Sequence, residues 1–137
     1  MRGIVICSHG PMAQGILETS KLFFGDQPQL QACCLNAEDN PDEFVDTLKE
    51  AIAQVDSGDG VYVFCDLLFG SPCNCMARVI GTDLESDKIR VLTGINLAMI
   101  LQILSTREAG DPPIDELLKA GQDGIVDLAA VLKANMQ

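Results

Sequence analysis

Apolar and polar positions follow one another in blocks along this chain, and the blocks switch period. Gly3–Cys7 is a continuous apolar run of strand length, closed by Ser8-His9-Gly10-Pro11. From Pro11 to Phe24 the apolar residues Met12, Ile16, Leu17 and Phe23-Phe24 fall at helical spacing, and Gly25 can end that helix. Gln29–Leu35 reads as a second, weaker strand. Asn40-Pro41-Asp42-Glu43 opens a second helix, with Asn as cap, Pro at the first position and acids at the positive end of the dipole. Its core face is Phe44, Val45, Leu48, Ile52 and Val55. A Ser57–Gly60 turn leads into a third strand over Gly60–Asp66.

The second half continues the alternation. Ser71 as cap and Pro72 as first residue predict a third helix, and Lys88–Thr93 a fourth strand. Asn96 to Arg107 is a strongly apolar helix, broken by Asp111-Pro112-Pro113. Ile114 to Ala120 starts another helix, Gly121 to Gly124 reads as a flexible spacer, and Ile125-Val126 as a fifth short strand before a helix over Leu128–Ala134. Strands separated by helices imply parallel βαβ units with right-handed crossovers. The expected fold is α/β, a doubly wound, mainly parallel sheet of four strands plus the short C-terminal strand. The whole of residues 1–137 is expected to form a single domain.

Composition narrows the partners. The chain carries 20 acidic and nine basic residues, a net charge of −11. Nucleic acid and anionic membrane both demand a basic face, so neither is expected as a partner, whereas a basic protein fits. No apolar run approaches the roughly 20 residues of a membrane helix. The N-terminal apolar stretch is too short for a secretory signal, so the cytoplasm is the expected compartment. Of six cysteines, Cys7, Cys33, Cys34 and Cys65 lie in strand-like runs and read as small buried hydrophobes. Cys73 and Cys75 sit two apart on a helix, which points them to different faces, so no metal site is expected.

His9 is the single histidine, and it stands where the first strand ends. Parallel α/β sheets place their ligand sites just past the carboxyl ends of strands. Asp66 ends the third strand. If strands one and three are neighbours, His9 and Asp66 face the same crevice. A carboxylate that accepts one ring N–H fixes the tautomer and leaves the other nitrogen free to act as base or nucleophile. The next helix start, Gly70-Ser71-Pro72-Cys73, offers free N–H groups and a hydroxyl at the positive end of a dipole, which makes Gly70, Ser71 and Cys73 candidate phosphoryl-binding residues. Nucleotide-binding glycine motifs and a serine elbow are absent. A histidine nucleophile, an orienting carboxylate and anion donors fit a phosphohistidine carrier better than a hydrolase.

Three ordered blocks make the chain resemble a known family. They are Ile4-Val5-Ile6-Cys7-Ser8-His9-Gly10, Asp66-Leu67-Leu68-Phe69-Gly70-Ser71-Pro72-Cys73-Asn74 and Thr93-Gly94-Ile95-Asn96-Leu97-Ala98-Met99. The family is the enzyme IIA component of the mannose family of the bacterial phosphoenolpyruvate:sugar phosphotransferase system (PTS). The third block carries Ala98 where proline is expected in many relatives. The resemblance implies a phosphotransferase without cofactor that takes a phosphoryl group from phospho-HPr onto His9 and passes it to a IIB component for sugar uptake. It implies that Asp66 orients the histidine and Ser71 helps to hold the phosphoryl group. Membrane IIC and IID partners would act indirectly. It also implies a homodimer with an exchanged C-terminal strand, for which Gly121 to Gly124 would be the hinge.

Two other readings compete: a phosphoryl-donor subunit serving dihydroxyacetone kinase, and a non-catalytic regulatory module that binds an anion. Phe69-Gly70-Ser71-Pro72 favours the sugar-transport branch.

Overall fold

The computed structural model describes all residues, 1–137. Its elements are β1 (Gly3–His9), α1 (Met12–Phe24), β2 (Leu30–Leu35), α2 (Pro41–Val55), β3 (Val61–Cys65), α3 (Ser71–Ile80), β4 (Ile89–Leu92), α4 (Leu97–Thr106), a 3-10 turn (Arg107–Ala109), α5 (Ile114–Asp123) and α6 (Leu128–Asn135). The strands form one parallel sheet in the order β2-β1-β3-β4. The chain therefore leaves β1 toward one side and β3 toward the other, and the order reverses between them.

Alternation along the strands builds two cores. Val5 and Cys7 of β1, with Val61, Val63 and Cys65 of β3, pack against Phe44, Val45, Leu48, Ile52 and Val55 of α2 and Cys75 and Met76 of α3. Ile4, Ile6, Tyr62 and Phe64 point the other way, onto Ala13 of α1, Met99, Ile100, Ile103 and Leu104 of α4, and Leu117 of α5. Burial on both faces is what makes β1 and β3 read as unbroken apolar runs. In register across three strands, Cys33, Cys7 and Cys65 form a row of buried thiols, with 3.1 Å between the sulfurs of Cys7 and Cys65. The Cys65 thiol beside it and burial push the Cys7 thiol far up, and burial raises Cys33 to about 11.

Helix caps follow the sequence at most ends. The Asn40 side chain accepts from the Asp42 N–H, and Asn96 accepts from the Met99 N–H. Gly25 ends α1 with φ +68°, which only glycine adopts freely. Three expectations change. Gly121, Gln122 and Asp123 are the last residues of α5 rather than a spacer, because Gly121 lets the helix close onto Met99, whose Cγ lies 2.5 Å from where a Cβ would stand. Ile125-Val126 joins no strand; it is an exposed connection between α5 and α6. Met12, Phe23 and Phe24 stay exposed, so the inner face of α1 is Ala13, Ile16, Leu17 and Ser20.

Charged groups lock the sheet edge opposite to His9. Arg107 is 2% exposed, and its guanidinium donates to the carbonyls of Arg2, Gln29 and Pro28. Arg2 stacks on Tyr62 and donates to Asp111. No helix is long and apolar enough to cross a membrane.

Candidate functional site

β1 and β3 are neighbours, and both end at the same edge of the sheet. This is the switch point at which a doubly wound sheet opens a crevice. Pairing fixes the height of each end: Cys7 lies opposite Cys65, so Ser8 and His9, the last residues of β1, run past the end of β3 beside Asp66, the residue that follows it. His9 and Asp66 meet there. Asp66 Oδ2 lies 2.7 Å from His9 Nδ1 and accepts the His9 backbone N–H at 2.8 Å. Its other oxygen accepts the Leu67 N–H at 2.8 Å. The carboxylate side chain is 8% exposed and the imidazole 45% exposed.

These contacts keep Asp66 ionised. Burial by itself pushes the Asp66 carboxyl up. The His9 N–H, the His9 ring and the Leu67 N–H outweigh it and hold the group below its usual 3.8. An ionised Asp66 can only accept, so in the neutral ring the proton sits on Nδ1 and the lone pair on Nε2. The ring nitrogen that does not face Asp66 thus carries the lone pair.

Two neighbours constrain the end of β1 and the ring it carries. Ser8 faces away from His9 and is fully buried. Its hydroxyl donates to the Gly10 carbonyl and accepts from the Ala13 N–H, which pins the turn after His9 to the start of α1. Nothing in the spacing of the sequence marks this bridge. Gly70 stands against the imidazole edge: a Cβ there would lie 2.7 Å from Cε1 and 3.4 Å from Nε2 of His9. Its backbone is ordinary, φ −70°, so glycine is needed for space and not for conformation. The imidazole of His9 occupies the space that a side chain at this position would fill.

The start of α3 also differs in detail from the sequence reading. Gly70 is the cap residue, Ser71 the first helical residue and Pro72 the second. Ser71 is exposed, and its hydroxyl bonds to no other residue. The backbone N–H groups of Ser71 and Cys73 have no partner within the chain, while Asn74 N–H donates to the Gly70 carbonyl and closes the first turn. The Cys73 thiol packs against the α2–α3 core, so this residue offers its N–H and not its side chain.

His9 separates two clefts. Gly10, Asn36, Asp39 and Ser71 border one of them, together with Leu35, Ala37 and Pro41. Met12, Leu67, Gly94 and Ile95 border a more apolar groove of about 600 Å³, with Asp66 at its floor. Asn36 and Asp39 come from the loop after β2, and sequence reading passed them over because neither carries a motif. No group of three or more His, Cys, Asp or Glu side chains is arranged to hold a metal ion.

Comparison with known proteins converges on one family. Residues 3–120 match the family model described as "PTS system fructose IIA component". The chain is 28% identical over 131 residues to the PTS system mannose-specific EIIAB component of Escherichia coli K12. That match covers 93% of this chain and 39% of the relative, so the chain spans about two fifths of the relative's length. It is 26% identical to the PTS system fructose-specific EIIA component of Bacillus subtilis, covering 79% of this chain and 72% of that one. Among solved structures, the PTS IIA protein associated with the fucose utilization operon of Streptococcus pneumoniae superposes with a TM-score of 0.87 at 27% identity, covering 96% of both chains.

Proposed function

We propose that this chain, which belongs to the PTS fructose IIA component family and so serves phosphoryl transfer in a sugar phosphotransferase system, is a phosphohistidine carrier that works through His9. In this reading the donor is phospho-HPr and the acceptor a IIB component, with IIC and IID membrane partners downstream. Residues 1–137 act as one carrier domain. The observation that carries the reading is the ionised Asp66 on Nδ1 of a half-exposed imidazole, at the switch point and beside the start of α3.

The chemistry follows from that arrangement. The Nε2 lone pair of His9 attacks the phosphorus of the donor's phosphohistidine in line. A new N–P bond forms as the donor's N–P bond breaks, and its electron pair returns to the donor ring. No proton leaves His9 in this step. The Nδ1–H stays on Asp66, whose negative charge offsets the positive charge that the phosphorylated ring acquires. In this reading the Ser71 hydroxyl and the N–H groups of Ser71 and Cys73 receive the equatorial phosphoryl oxygens, which is the main help this reaction needs. Donor and product are both phosphoramidates, so the exchange is reversible, as a relay requires.

The C-terminal segment supports a homodimer. α6 buries none of its residues, and Ile125 and Val126 are 76% and 59% exposed. Exchange of this segment between two copies gives those side chains a partner, with Gly124 left as the hinge.

The decisive experiment is labelling. Incubated with phosphoenolpyruvate, enzyme I and HPr, the wild-type chain gains one phosphoryl group on His9, and His9→Ala gains none. Label found on another residue would refute the assignment.

A further inference from the structure

The segment between β3 and α3 holds a feature that phosphoryl chemistry does not use. Leu67, Leu68 and Phe69 are consecutive, and they are 61%, 61% and 76% exposed. Phe69 also has φ +63°, a left-handed backbone that a side-chain-bearing residue disfavours. The turn is nevertheless firmly built. Asn74 Nδ2 donates to the Phe69 carbonyl at 3.1 Å, and the Gly70 N–H donates to the Leu67 carbonyl at 3.1 Å. Strain kept in place by surrounding bonds, and spent on holding an aromatic ring in water, calls for a use outside the fold.

Position supplies the use. Leu67 and Met12 line the groove that opens on His9, and Met12 is 45% exposed. Phosphoryl transfer between two proteins requires their reacting atoms to come within roughly 3–3.5 Å. Whatever protein exchanges with His9 therefore covers this surface. The two clefts that flank His9 contain the carboxylates of Asp66 and Asp39 and no lysine or arginine, on a chain of net charge −11. The complementary surface has an apolar centre and a basic margin.

We propose that Leu67, Leu68, Phe69 and Met12 form the docking surface for the phosphoryl-donor protein, and that Phe69 is its anchor. The occupant is a protein that carries its phosphoryl group on a histidine within an apolar patch. Phe69 directly precedes Gly70, which stands against the His9 ring, and an exposed aromatic on a firmly held turn beside such a contact is the kind of residue that dominates binding. The proposal rests on the phosphocarrier reading of His9.

The test compares Phe69→Ala and Phe69→Gly with the wild-type chain, using two donors. Phospho-HPr must dock; phosphoramidate, a small phosphoryl donor, need not. In both variants the KM for phospho-HPr should rise on the order of tenfold, while His9 takes label from phosphoramidate at the wild-type rate. Phe69→Gly should melt no lower than the wild-type chain, since glycine accepts the left-handed backbone. An unchanged KM for phospho-HPr in both variants overturns the proposal. An equal loss with both donors also overturns it, because the residue would then support the chemistry and not the docking. If the wild-type chain takes label from neither donor, it is the phosphocarrier reading that fails.

Discussion

At the scale of single residues, Asp66 ties the site to the stability of the chain. Its carboxylate accepts from the His9 N–H, the Leu67 N–H and the His9 ring, and these hold it below the usual carboxylate value in spite of burial. A group depressed in the folded state stabilises it fully above the unfolded value, and that contribution is lost as pH falls through the folded value. Asp66→Asn should therefore be less stable than the wild-type chain at pH 7, by a margin that is constant down to about pH 5 and closes below about pH 4. Urea unfolding at stepped pH measures this; a margin that widened in acid would contradict it. The same substitution should slow phosphoryl transfer by roughly 10- to 100-fold, the range seen when a partner that orients a histidine is lost. His9 and Asp66 were legible because each is an ionisable residue closing an apolar run. Ser8 and Arg107 were not. Both are buried polar residues whose partners lie in backbone carbonyls and N–H groups, and side-chain patterns carry no record of those.

At the scale of elements, the start of α3 is set against β1 by what Gly70 lacks. Gly70→Ala adds a methyl group 2.7 Å from His9 Cε1 with no change of backbone preference. Either the ring or the helix start has to move. A displacement approaching 1 Å of a reacting group costs on the order of 100-fold in rate, so transfer should fall steeply while circular dichroism stays that of the wild-type chain. Wild-type kinetics in this variant would show that the contact is slack. Element order, the parallel sheet and the core face of α2 could all be read from periodicity, because single helices between apolar strands admit few arrangements. The errors lie where tertiary packing overrides local preference. Gly121 reads as a break and instead continues α5, since the close approach to Met99 compensates for its weak helix propensity. Ser71 reads as a cap and is instead the first helical residue, with Gly70 before it. Ile125-Val126 reads as a strand from its β-branched residues but has no strand beside it in the single chain.

At the scale of the whole molecule, the apolar surface is distributed unevenly. Ile125, Val126, Leu128, Leu132 and Met136 are all exposed within thirteen residues of the C-terminus, a concentration that marks an association surface. On the proposed exchange of this segment, the full chain should sediment as two copies and a chain ending at Gly124 as one, with its sheet intact. Equal masses for the two would place the dimer contact elsewhere or remove it. The row of Cys33, Cys7 and Cys65 has a consequence of a different sort. Cys7 and Cys65 are 0% exposed on the two central strands, whereas Cys34 and Cys73 are partly exposed. A thiol-alkylating reagent should mark the outer cysteines within minutes and reach the inner pair only when the strands separate. The pace at which Cys7 and Cys65 acquire the tag then reads out global opening, and the chain carries its own unfolding clock in sulfur, one layer beneath the histidine.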